Sequence, residues 1–390
     1  MYGTTAIAAS LSSLRIHTRI LPSLNPLITI QLKAFSFSCS FHLHDLTPAI
    51  KAASGNHTVI EAGVVNQLEP ILSKLARRAH RDVPKALNAL LYLFVQIVCV
   101  SRRNNSAQLE QGGASINIET MGLPTGAGLG SSAAFSVSAT SALLEWTLGA
   151  SKSSTMVTLN GIDAKRPDEA RLDLINNWAF MSETLLHGNP SGLDNTTSTF
   201  GGAISYVREP KSIRRLDIFP ELKLMLVNTL IPRETRTLVA NVAHLKSLHT
   251  TVVNTIFSAM QCIADDVLQG IESWISDANE VPDSERNAQV LSRMQSLMSV
   301  NQGLLAALGV SHSSLDTICN VCAEHSVAAK LTGAGGGGCA FALVGVGEQR
   351  ATAEQTEGLM KKLVALGYPT TLCLAGGVGI AMHTEGITFN

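Results

Sequence analysis

The chain has 390 residues and a mass of 41.3 kDa, with 45% hydrophobic and 15% charged residues. This is enough chain for a large buried core, and it excludes a disordered or fibrous protein. Lysine and arginine total 29 and aspartate and glutamate total 30, so the formal net charge is -1. Such a balance excludes a general electrostatic attraction to nucleic acid or to an anionic membrane, and any bound anion must be held by a local site.

The cysteines and the longest apolar stretch set two further limits. The 7 cysteines contain a single C-x-x-C pair, Cys319 and Cys322, which predicts a reduced cytosolic protein and not a zinc site. The most apolar stretch, residues 86–100, contains Asn88 and Gln96 and is shorter than the about 20 residues that a membrane span needs. It is therefore predicted to be a buried helix.

The first informative elements in chain order are a strand, a glycine loop and a helix. Apolar residues alternate with polar ones over residues 115–119, which predicts a half-buried strand. Glycine-rich turns follow at 122–130. Ser131 and Ser132 then precede apolar residues at helical spacing, the pattern of a helix with hydroxyl residues at its N-terminus.

The rest of the chain alternates helices and strands in a pattern typical of helices packed on a sheet. The predicted elements are, in chain order, a helix at 171–186, strands at 201–206 and 223–227 with a turn at 209–211 between them, helices at 238–271 and 287–308 around a surface loop at 276–286, a helix at 315–330, a glycine run at 333–338, a strand at 339–344, a helix at 353–366 and a strand at 370–374. Pro220 is predicted to mark the boundary between two lobes.

The glycine loop is the first segment that carries chemistry. Glycines let the backbone approach a ligand closely, and a helix that begins at the serines points unpaired N–H groups and its positive dipole end at an anion. No lysine follows the last glycine, so this is not a Walker P-loop, and a serine hydroxyl with Mg²⁺ is expected to supply the missing charge. The alternative is a tight turn that enters a buried helix. The predicted phosphate cradle consists of Pro124, Gly126, Ala127, Gly128, Leu129, Gly130, Ser131 and Ser132.

The second segment is the run His-Gly-Asn-Pro-Ser-Gly-Leu-Asp-Asn at residues 187–195. A carboxylate on a turn of small residues can accept the proton of a substrate hydroxyl or orient it as a nucleophile, which makes Asp194 the catalytic candidate. Most aspartates in such turns only satisfy their own backbone. Glu183 lies on the preceding predicted helix; it is a surface acid unless the helix points it toward Ser132, in which case it becomes a Mg²⁺ ligand.

The third segment is the glycine run. It matches G-x-G-x-x-G at Gly333, Gly335 and Gly338, but it follows a predicted helix and precedes a strand. A dinucleotide fingerprint needs the reverse order, so a Rossmann fold is excluded. Consecutive glycines lose much conformational entropy on folding, which predicts that this backbone passes close to a ligand or to the catalytic turn.

In their order and separation the three segments resemble the mevalonate kinases of the galactokinase, homoserine kinase, mevalonate kinase and phosphomevalonate kinase (GHMP) superfamily. The likeness is carried most specifically by residues 180–202, 232–236, 307–312 and 330–339. It implies an α+β fold with two lobes. A ribosomal-protein-S5-like lobe would comprise residues 1–220, and a ferredoxin-like lobe would comprise residues 221–390, including the glycine run.

The resemblance also implies an activity. Mevalonate kinases transfer phosphate from ATP to the primary hydroxyl of mevalonate, giving 5-phosphomevalonate and ADP for isoprenoid and sterol synthesis. In that picture residues 126–132 wrap the phosphates, Ser132 and Glu183 hold Mg²⁺, and Asp194 faces the substrate hydroxyl. The residues that the resemblance places near the substrate are Arg233, Thr235, Gly335 and Gly336. A guanidinium suits the carboxylate of mevalonate; without the resemblance, Arg233 and Thr235 are equally well a surface arginine and a helix cap.

The sequence departs from the family pattern in two places. Family members begin with a Pro-Gly-Lys and a Gly-Glu-His motif ahead of a strand that residues 2–8 resemble, so that motif and its lysine are expected to be absent here. Phe135 stands where the family carries a tyrosine. Two hypotheses of different class follow: an active mevalonate kinase, or a weakened nucleotide-binding relative with a regulatory or dimerisation role. A related small-molecule kinase is the third.

The expected partners and location follow from the charge balance and from the same resemblance. The partner is a small-molecule substrate, with no nucleic acid or membrane, and the resemblance suggests a homodimer. The first 44 residues have the composition of a transit peptide, but their match to a family strand favours a cytoplasmic protein. A peroxisomal location is the alternative, although residues 386–390 offer no peroxisomal tripeptide.

Overall fold

A computed structural model gives the fold of this chain and describes residues 4–23, 25–102, 113–124, 126–148, 154–159, 162–208, 210–216, 218–233, 235–350 and 353–382. Thr125, Glu209 and Glu234, which belong to predicted segments, lie outside the described residues, as do both ends of the chain. The chain divides into two compact units. Unit 1 comprises residues 1–13, 124–129 and 202–377, and unit 2 comprises residues 14–123, 130–201 and 378–390. The lobe boundary at Pro220 stays a prediction.

Unit 2 is built on a four-stranded sheet whose inner face is apolar. Its strands are β2 (Arg15–Ser23), β3 (Leu27–Leu32), β4 (Phe37–His42) and β5 (Gly113–Met121), in the order β2-β5-β3-β4. Strand β5 is antiparallel to β2 and parallel to β3. Ile28, Ile30 and Ile116 alternate with outward residues and are fully buried against helices, as the period of two along a strand requires. A hairpin of β6 (Ser154–Leu159) and β7 (Ile162–Pro167) completes the strands described for this unit.

The helices of unit 2 cover that face of the sheet. They are α1 (Thr47–Ala52), α2 (Ala62–Leu75), α3 (Val83–Leu93), α4 (Ser131–Leu148), α5 (Glu169–His187) and α6 (Leu193–Phe200). Helix α3 continues through a π-helical segment, Phe94–Cys99. The predicted buried helix at 86–100 is confirmed.

The polar residue in this buried helix has hydrogen-bond partners. Gln96 is only 2% exposed; its side chain accepts from the backbone N–H of Gly55 at 2.8 Å and donates to the Tyr92 hydroxyl at 3.3 Å. A buried amide without partners would be costly. Gln96 thereby ties the loop before α2 to the core helix.

Unit 1 contains two sheets. The larger is formed by β10 (Leu222–Asn228), β11 (Ala329–Leu331), β12 (Cys339–Val346) and β14 (Thr370–Ala375) in the antiparallel order β11-β12-β10-β14, with the short β13 (Gln349–Arg350) on β12. The helices are α7 (Thr235–Leu248), α8 (Thr250–Ser276), α9 (Asp283–Ala307), α10 (Ser313–Glu324) and α11 (Ala353–Ala365). Four helices, α7–α10, lie between β10 and β11, and α11 precedes β14. With the four helices in the place of one, the order is the ferredoxin-like β-α-β-β-α-β, so the α+β fold is confirmed.

The smaller sheet of unit 1 joins distant parts of the chain. Strand β8 (Ala203–Val207) lies between β1 (Ala6–Ala9) and β9 (Ser212–Leu216), antiparallel to both. The pairing of β1 with β8 places the start of the described chain inside a sheet. Strand β9 is missing from the predicted elements because its residues, SIRRL, carry only two apolar side chains, and the first four residues are exposed.

Four predictions about element limits are wrong. The helix expected at 315–330 ends at Glu324, and β11 follows it, so the glycine run connects two strands. The helix expected at 238–271 is two helices, α7 and α8, with a break at His249, where φ is -132° and ψ is 55°. The loop expected at 276–286 is shorter, because α9 begins at Asp283 and Arg286 is 7% exposed over the Trp274 ring. Asp194 lies in the first turn of α6 and not in a turn of the chain.

Residues 20–81, for which the sequence predicts no element, form β3, β4, α1, α2 and part of β2. Many of their apolar residues, among them Ile30, Leu46 and Leu68, are buried in the core of unit 2. Among the described helices of the chain, none is both long and apolar enough to cross a membrane.

Candidate functional site

The N-terminus of α4 is formed by the end of the glycine loop. Gly130 has φ +68°, a backbone conformation that favours glycine, and its carbonyl accepts from the N–H of Ala134 at 2.9 Å. Ser131 and Ser132 follow as the first helical residues and are partly exposed. The chain therefore places two hydroxyl groups at the helix end where unpaired N–H groups favour an anion.

Glu183 lies on α5 and points at this helix. Ser132 Oγ donates to Glu183 Oε2 at 3.1 Å, and Ser136 Oγ lies 3.1 Å from Oε1. Ser182 Oγ is 2.8 Å from Ser136 Oγ, so the hydroxyls form a small buried network. Glu183 is only 4% exposed. The alternative of a surface acid is thereby excluded, and the predicted approach of Glu183 to Ser132 is what the structure has.

Burial changes the acidity of this carboxyl. Desolvation raises the pKa of Glu183 to about 7, the nearby charge of Asp194 acts in the same direction, and the two serine hydrogen bonds oppose the rise. A buried carboxylate whose partners are neutral hydroxyls is poorly compensated for the lost water. A cation beside these oxygens would favour the charged form.

His187, at the C-terminal end of α5, joins the same cluster. Its Nε2 lies 3.0 Å from Ser132 Oγ and 3.8 Å from Glu183 Oε2. Since Ser132 donates to Glu183, His187 is expected to donate through Nε2 to Ser132. Burial lowers the pKa of His187, the charge of Lys85 acts in the same direction, and Asp194 opposes them.

Asp194 approaches the cluster from α6. A methyl group placed on Gly130 would lie 3.7 Å from Cβ and Cγ of Asp194, so the aspartate packs against the glycine that precedes the two serines. Gly192, with φ +86°, makes the turn from which α6 begins. Asp194 is exposed and its charge acts on both Glu183 and His187. Unit 2 therefore brings Ser132, Glu183 and Asp194 together from three separate helices.

The other predicted site residues lie in unit 1. Arg233 is half-buried beside Gly128, Gly333 and Gly338. Thr235 is exposed at the first residue of α7. Pro124, Gly126, Ala127, Gly128 and Leu129 form the part of the glycine loop that belongs to this unit.

Gly335 and Gly336 face the protein itself. A methyl group on Gly335 would lie 2.0 Å from the Val310 carbonyl oxygen, and one on Gly336 would lie 2.8 Å from Leu238. The N–H of Gly336 donates to Val310 O at 2.9 Å. Close packing within unit 1 is therefore one reason for glycine at these two positions.

The donor set of unit 2 fits a magnesium ion. A serine hydroxyl and a carboxylate supply oxygen atoms, the ligands that Mg²⁺ prefers, and Mg²⁺ commonly takes its remaining ligands from water and phosphate. The buried carboxyl of Glu183, which contacts the hydroxyls of Ser132 and Ser136 and lies 3.8 Å from His187 Nε2, has the chemistry of such a ligand.

Three members of the cluster are not among the predicted site residues: His187, Ser136 and Ser182. The signal in the sequence that indicates Ser136 and His187 is their helical spacing from two predicted site residues. Ser136 is four residues after Ser132 on α4, and His187 is four residues after Glu183 on α5, so each pair shares a helix face. Packing decides which two helix faces meet, and helical spacing in the sequence does not indicate this.

Comparisons with known proteins agree with this architecture. Residues 93–202 match the GHMP kinases N terminal domain, and residues 284–362 match the GHMP kinases C terminal domain. The chain is therefore a small-molecule kinase of the GHMP class.

Within that class the similarity is specific. The mevalonate kinase of Bos taurus is 37% identical over 300 residues, which cover 77% of this chain and 69% of that protein. The mevalonate kinase of Arabidopsis thaliana is 32% identical over 394 residues, 97% and 94% of the two chains. A crystal structure of L. major mevalonate kinase in complex with R-mevalonate has the same fold, with a TM-score of 0.61, 21% identity and coverage of 97% and 91%. The chain belongs to the mevalonate kinase family.

Proposed function

We propose that this chain transfers phosphate from ATP to the primary hydroxyl of mevalonate, giving 5-phosphomevalonate and ADP. Membership of the family supports the reaction and its substrates. The single observation that carries the assignment of roles is the cluster of Ser132, Glu183 and Asp194 at the N-terminus of α4.

Each side chain of the cluster has a separate task in this proposal. Asp194 orients the mevalonate hydroxyl and accepts its proton. An exposed carboxylate next to the glycine loop is suited to this role. Ser132 and Glu183 would hold Mg²⁺, which when bound neutralises charge on the phosphate oxygens. Residues 126–132 bind the phosphates through backbone N–H groups.

Two residues outside the cluster are proposed to bind the acceptor. Arg233 offers a planar guanidinium, which pairs well with a carboxylate such as that of mevalonate. Thr235 is exposed at the start of α7 and would add a hydroxyl. The family resemblance implies that Gly335 and Gly336 lie near the substrate, and this also stays a proposal.

A coupled assay of ADP release tests the reaction with mevalonate, ATP and Mg²⁺. Asp194→Ala should lower kcat by roughly a hundredfold or more, since it removes the proton acceptor. Asp173→Ala is the matched control, because Asp173 is an exposed aspartate on α5 and should leave kcat unchanged. Wild-type turnover no faster than that of Asp194→Ala would refute the kinase assignment.

The same assay separates the other hypotheses. Nucleotide binding without turnover would favour the weakened relative with a regulatory role. Faster turnover with homoserine, galactose or phosphomevalonate would favour a related small-molecule kinase. The cytoplasmic location and the homodimer also remain proposals; sedimentation of the purified chain would test the dimer.

A further inference from the structure

The side chain of Arg233 runs between glycines of both glycine-rich segments. A methyl group on Gly128 would lie 2.0 Å from Arg233 Nη1, and one on Gly333 would lie 2.3 Å from the same atom. A methyl group on Gly338 would lie 2.5 Å from Arg233 Cδ. Non-bonded carbon atoms sit about 3.5–4.0 Å apart. No residue other than glycine fits at these three positions while Arg233 stays where it is.

The two segments also touch each other around this arginine. The methyl position on Gly338 is 2.9 Å from the Ala127 carbonyl oxygen, and that on Gly333 is 3.6 Å from the Gly128 carbonyl oxygen. All of these residues belong to unit 1. The walls around the guanidinium are therefore main chain contributed by two loops that are far apart in sequence.

The backbone that carries Arg233 is tied to the glycine run. Gly338 N–H donates to Ile231 O at 2.9 Å, and the Thr229 hydroxyl donates to Gly338 O at 2.7 Å. Thr229 is 5% exposed, so these bonds are protected from water. These bonds thus connect the glycine run to residues 229–231, which lead to Arg233.

The other glycines of the run have different neighbours. Gly335 lies against Val310, and Gly336 lies against Leu238. A methyl group on Gly337 would lie 2.7 Å from the Ile231 carbonyl oxygen. The contacts with Arg233 are specific to the two ends of the run, Gly333 and Gly338. A side chain at Gly333 or Gly338 would therefore require Arg233 to shift, and both glycines also have a positive φ, +72° and +70°.

We propose that the two glycine segments form a main-chain slot for the guanidinium of Arg233, and that Arg233, in addition to its proposed contact with the acceptor, is a positioning residue that fixes the glycine loop to the glycine run. A planar guanidinium can lie flat between peptide groups, which a compact ammonium cannot do. The slot itself rests on contacts within unit 1. Its catalytic consequence, preorganisation of residues 126–129 for the ATP phosphates, rests on the proposed function.

A double-mutant cycle tests the slot by thermal unfolding. Gly333→Ala is compared with Gly309→Ala, because both glycines have φ +72° but a methyl group on Gly309 would meet nothing within 4 Å. Both alanines strain the backbone, whereas only the first should collide with Arg233. Gly333→Ala is expected to lower the unfolding temperature by at least about 3 °C more than Gly309→Ala.

In an Arg233→Ala background that difference should disappear, because the space is then free. An equal difference in both backgrounds, or a Gly333→Ala/Arg233→Ala protein that fails to fold when Gly309→Ala/Arg233→Ala folds, would overturn the slot. The unfolding temperatures test the slot whatever reaction the chain catalyses, so its failure is distinguishable from failure of the kinase assignment.

Kinetics test the consequence. Arg233→Ala should raise the KM for ATP at least about tenfold. Guanidinium ion below denaturing concentration should return the KM for ATP of this variant to near the wild-type value. Arg233→Lys, which keeps the charge without the planar group, should have a raised KM for ATP like that of Arg233→Ala. The Gly333→Ala/Arg233→Ala protein should not respond to guanidinium, because the alanine occupies the slot, whereas Gly309→Ala/Arg233→Ala should respond. An unchanged KM for ATP in Arg233→Ala, with only the KM for mevalonate raised, would overturn the coupling of Arg233 to the glycine loop. Equal rescue of both double variants by guanidinium would overturn it as well.

Discussion

Glu183 is a buried carboxyl whose two oxygens are contacted by serine hydroxyls. Neutral partners compensate only part of the lost hydration, which is why burial is the largest cause of its raised pKa. The residue is therefore poised between a protonated form, which suits the buried network, and a charged form, which suits a metal ion.

This raised pKa predicts a pH dependence of stability. The ordinary pKa is 4.5 and the folded value is about 7, so between them the folded state binds more protons than the unfolded state. The contribution of Glu183 to the free energy of unfolding is present below pH 4.5 and falls as the pH rises to about 7, by on the order of 3 kcal/mol. Glu183→Gln should remove this loss.

The measurement is urea unfolding of the Mg²⁺-free protein across that pH range, for wild type and Glu183→Gln. Other groups titrate in both proteins, so the difference between the two curves isolates Glu183. Glu169→Gln, at an exposed position on the same helix, is the control and should follow wild type. Parallel curves for wild type and Glu183→Gln would contradict the prediction.

Ser132 gives a second prediction for a single residue. Its hydroxyl contacts Glu183 and His187, so Ser132→Ala should raise the Mg²⁺ concentration for half-maximal rate on the order of tenfold. Ser138→Ala removes a hydroxyl on the same helix that donates to Thr18 instead, and it should leave the Mg²⁺ dependence unchanged. An identical Mg²⁺ titration for Ser132→Ala would count against its role as a ligand.

At the scale of elements, helix α5 carries both Glu183 and His187, so its stability supports the site. Asp168 caps its N-terminus: Oδ1 accepts from the N–H of Arg171 at 2.9 Å. Asp168→Ala should lower the free energy of unfolding by about 1 kcal/mol, the usual worth of such a cap. Chemical unfolding measures this, with the exposed Asp173→Ala as the control. Equal stability of both variants would show that the cap contributes nothing.

Helix α5 also shows what the sequence can predict. Its apolar spacing and the His-Gly-Asn-Pro sequence that follows predict residues 171–186, and the helix spans Glu169–His187. The segment at 315–330 shows the limit. Residues 328–331 suit a helix as well as a strand, and pairing of Ala329–Leu331 with β12 decides in favour of a strand. Local periodicity cannot report such a pairing.

The same limit applies to the candidate site. Motifs predict Ser132, Glu183 and Asp194 because each has a chemical signature in its own segment. The slot around Arg233 has no such signature, because its walls are main chain from near residue 128 and near residue 333, two segments far apart in sequence. Nothing local marks the π-helical turn at Phe94–Cys99 or the break at His249 either.

At the scale of the whole molecule, unit 1 is closed by a segment from the start of the chain. Ser10 N–H donates to Gly202 O at 2.9 Å, Ser10 Oγ donates to Gly377 O at 2.6 Å, and Gly376 N–H donates to Ser10 O at 2.9 Å. These contacts join residues 192 and 367 positions apart. Unit 1 is therefore complete only when the first residues have joined sequence that is synthesised much later, and such long-range contacts slow folding.

Removal of this segment is expected to expose the edge of β8. Deletion of residues 1–13 breaks the pairing of β1 with β8 and the Ser10 bonds, leaving unpaired backbone groups on an edge that favours aggregation. The deleted protein should unfold at a temperature at least several degrees lower and should aggregate on refolding. Ser10→Ala, which keeps β1 and loses only the side-chain bonds, should fall between the deletion and wild type. Calorimetry with light scattering measures both effects. An unchanged unfolding temperature after the deletion would mean that the segment adds nothing to the stability of unit 1, in spite of its place between β8 and β14.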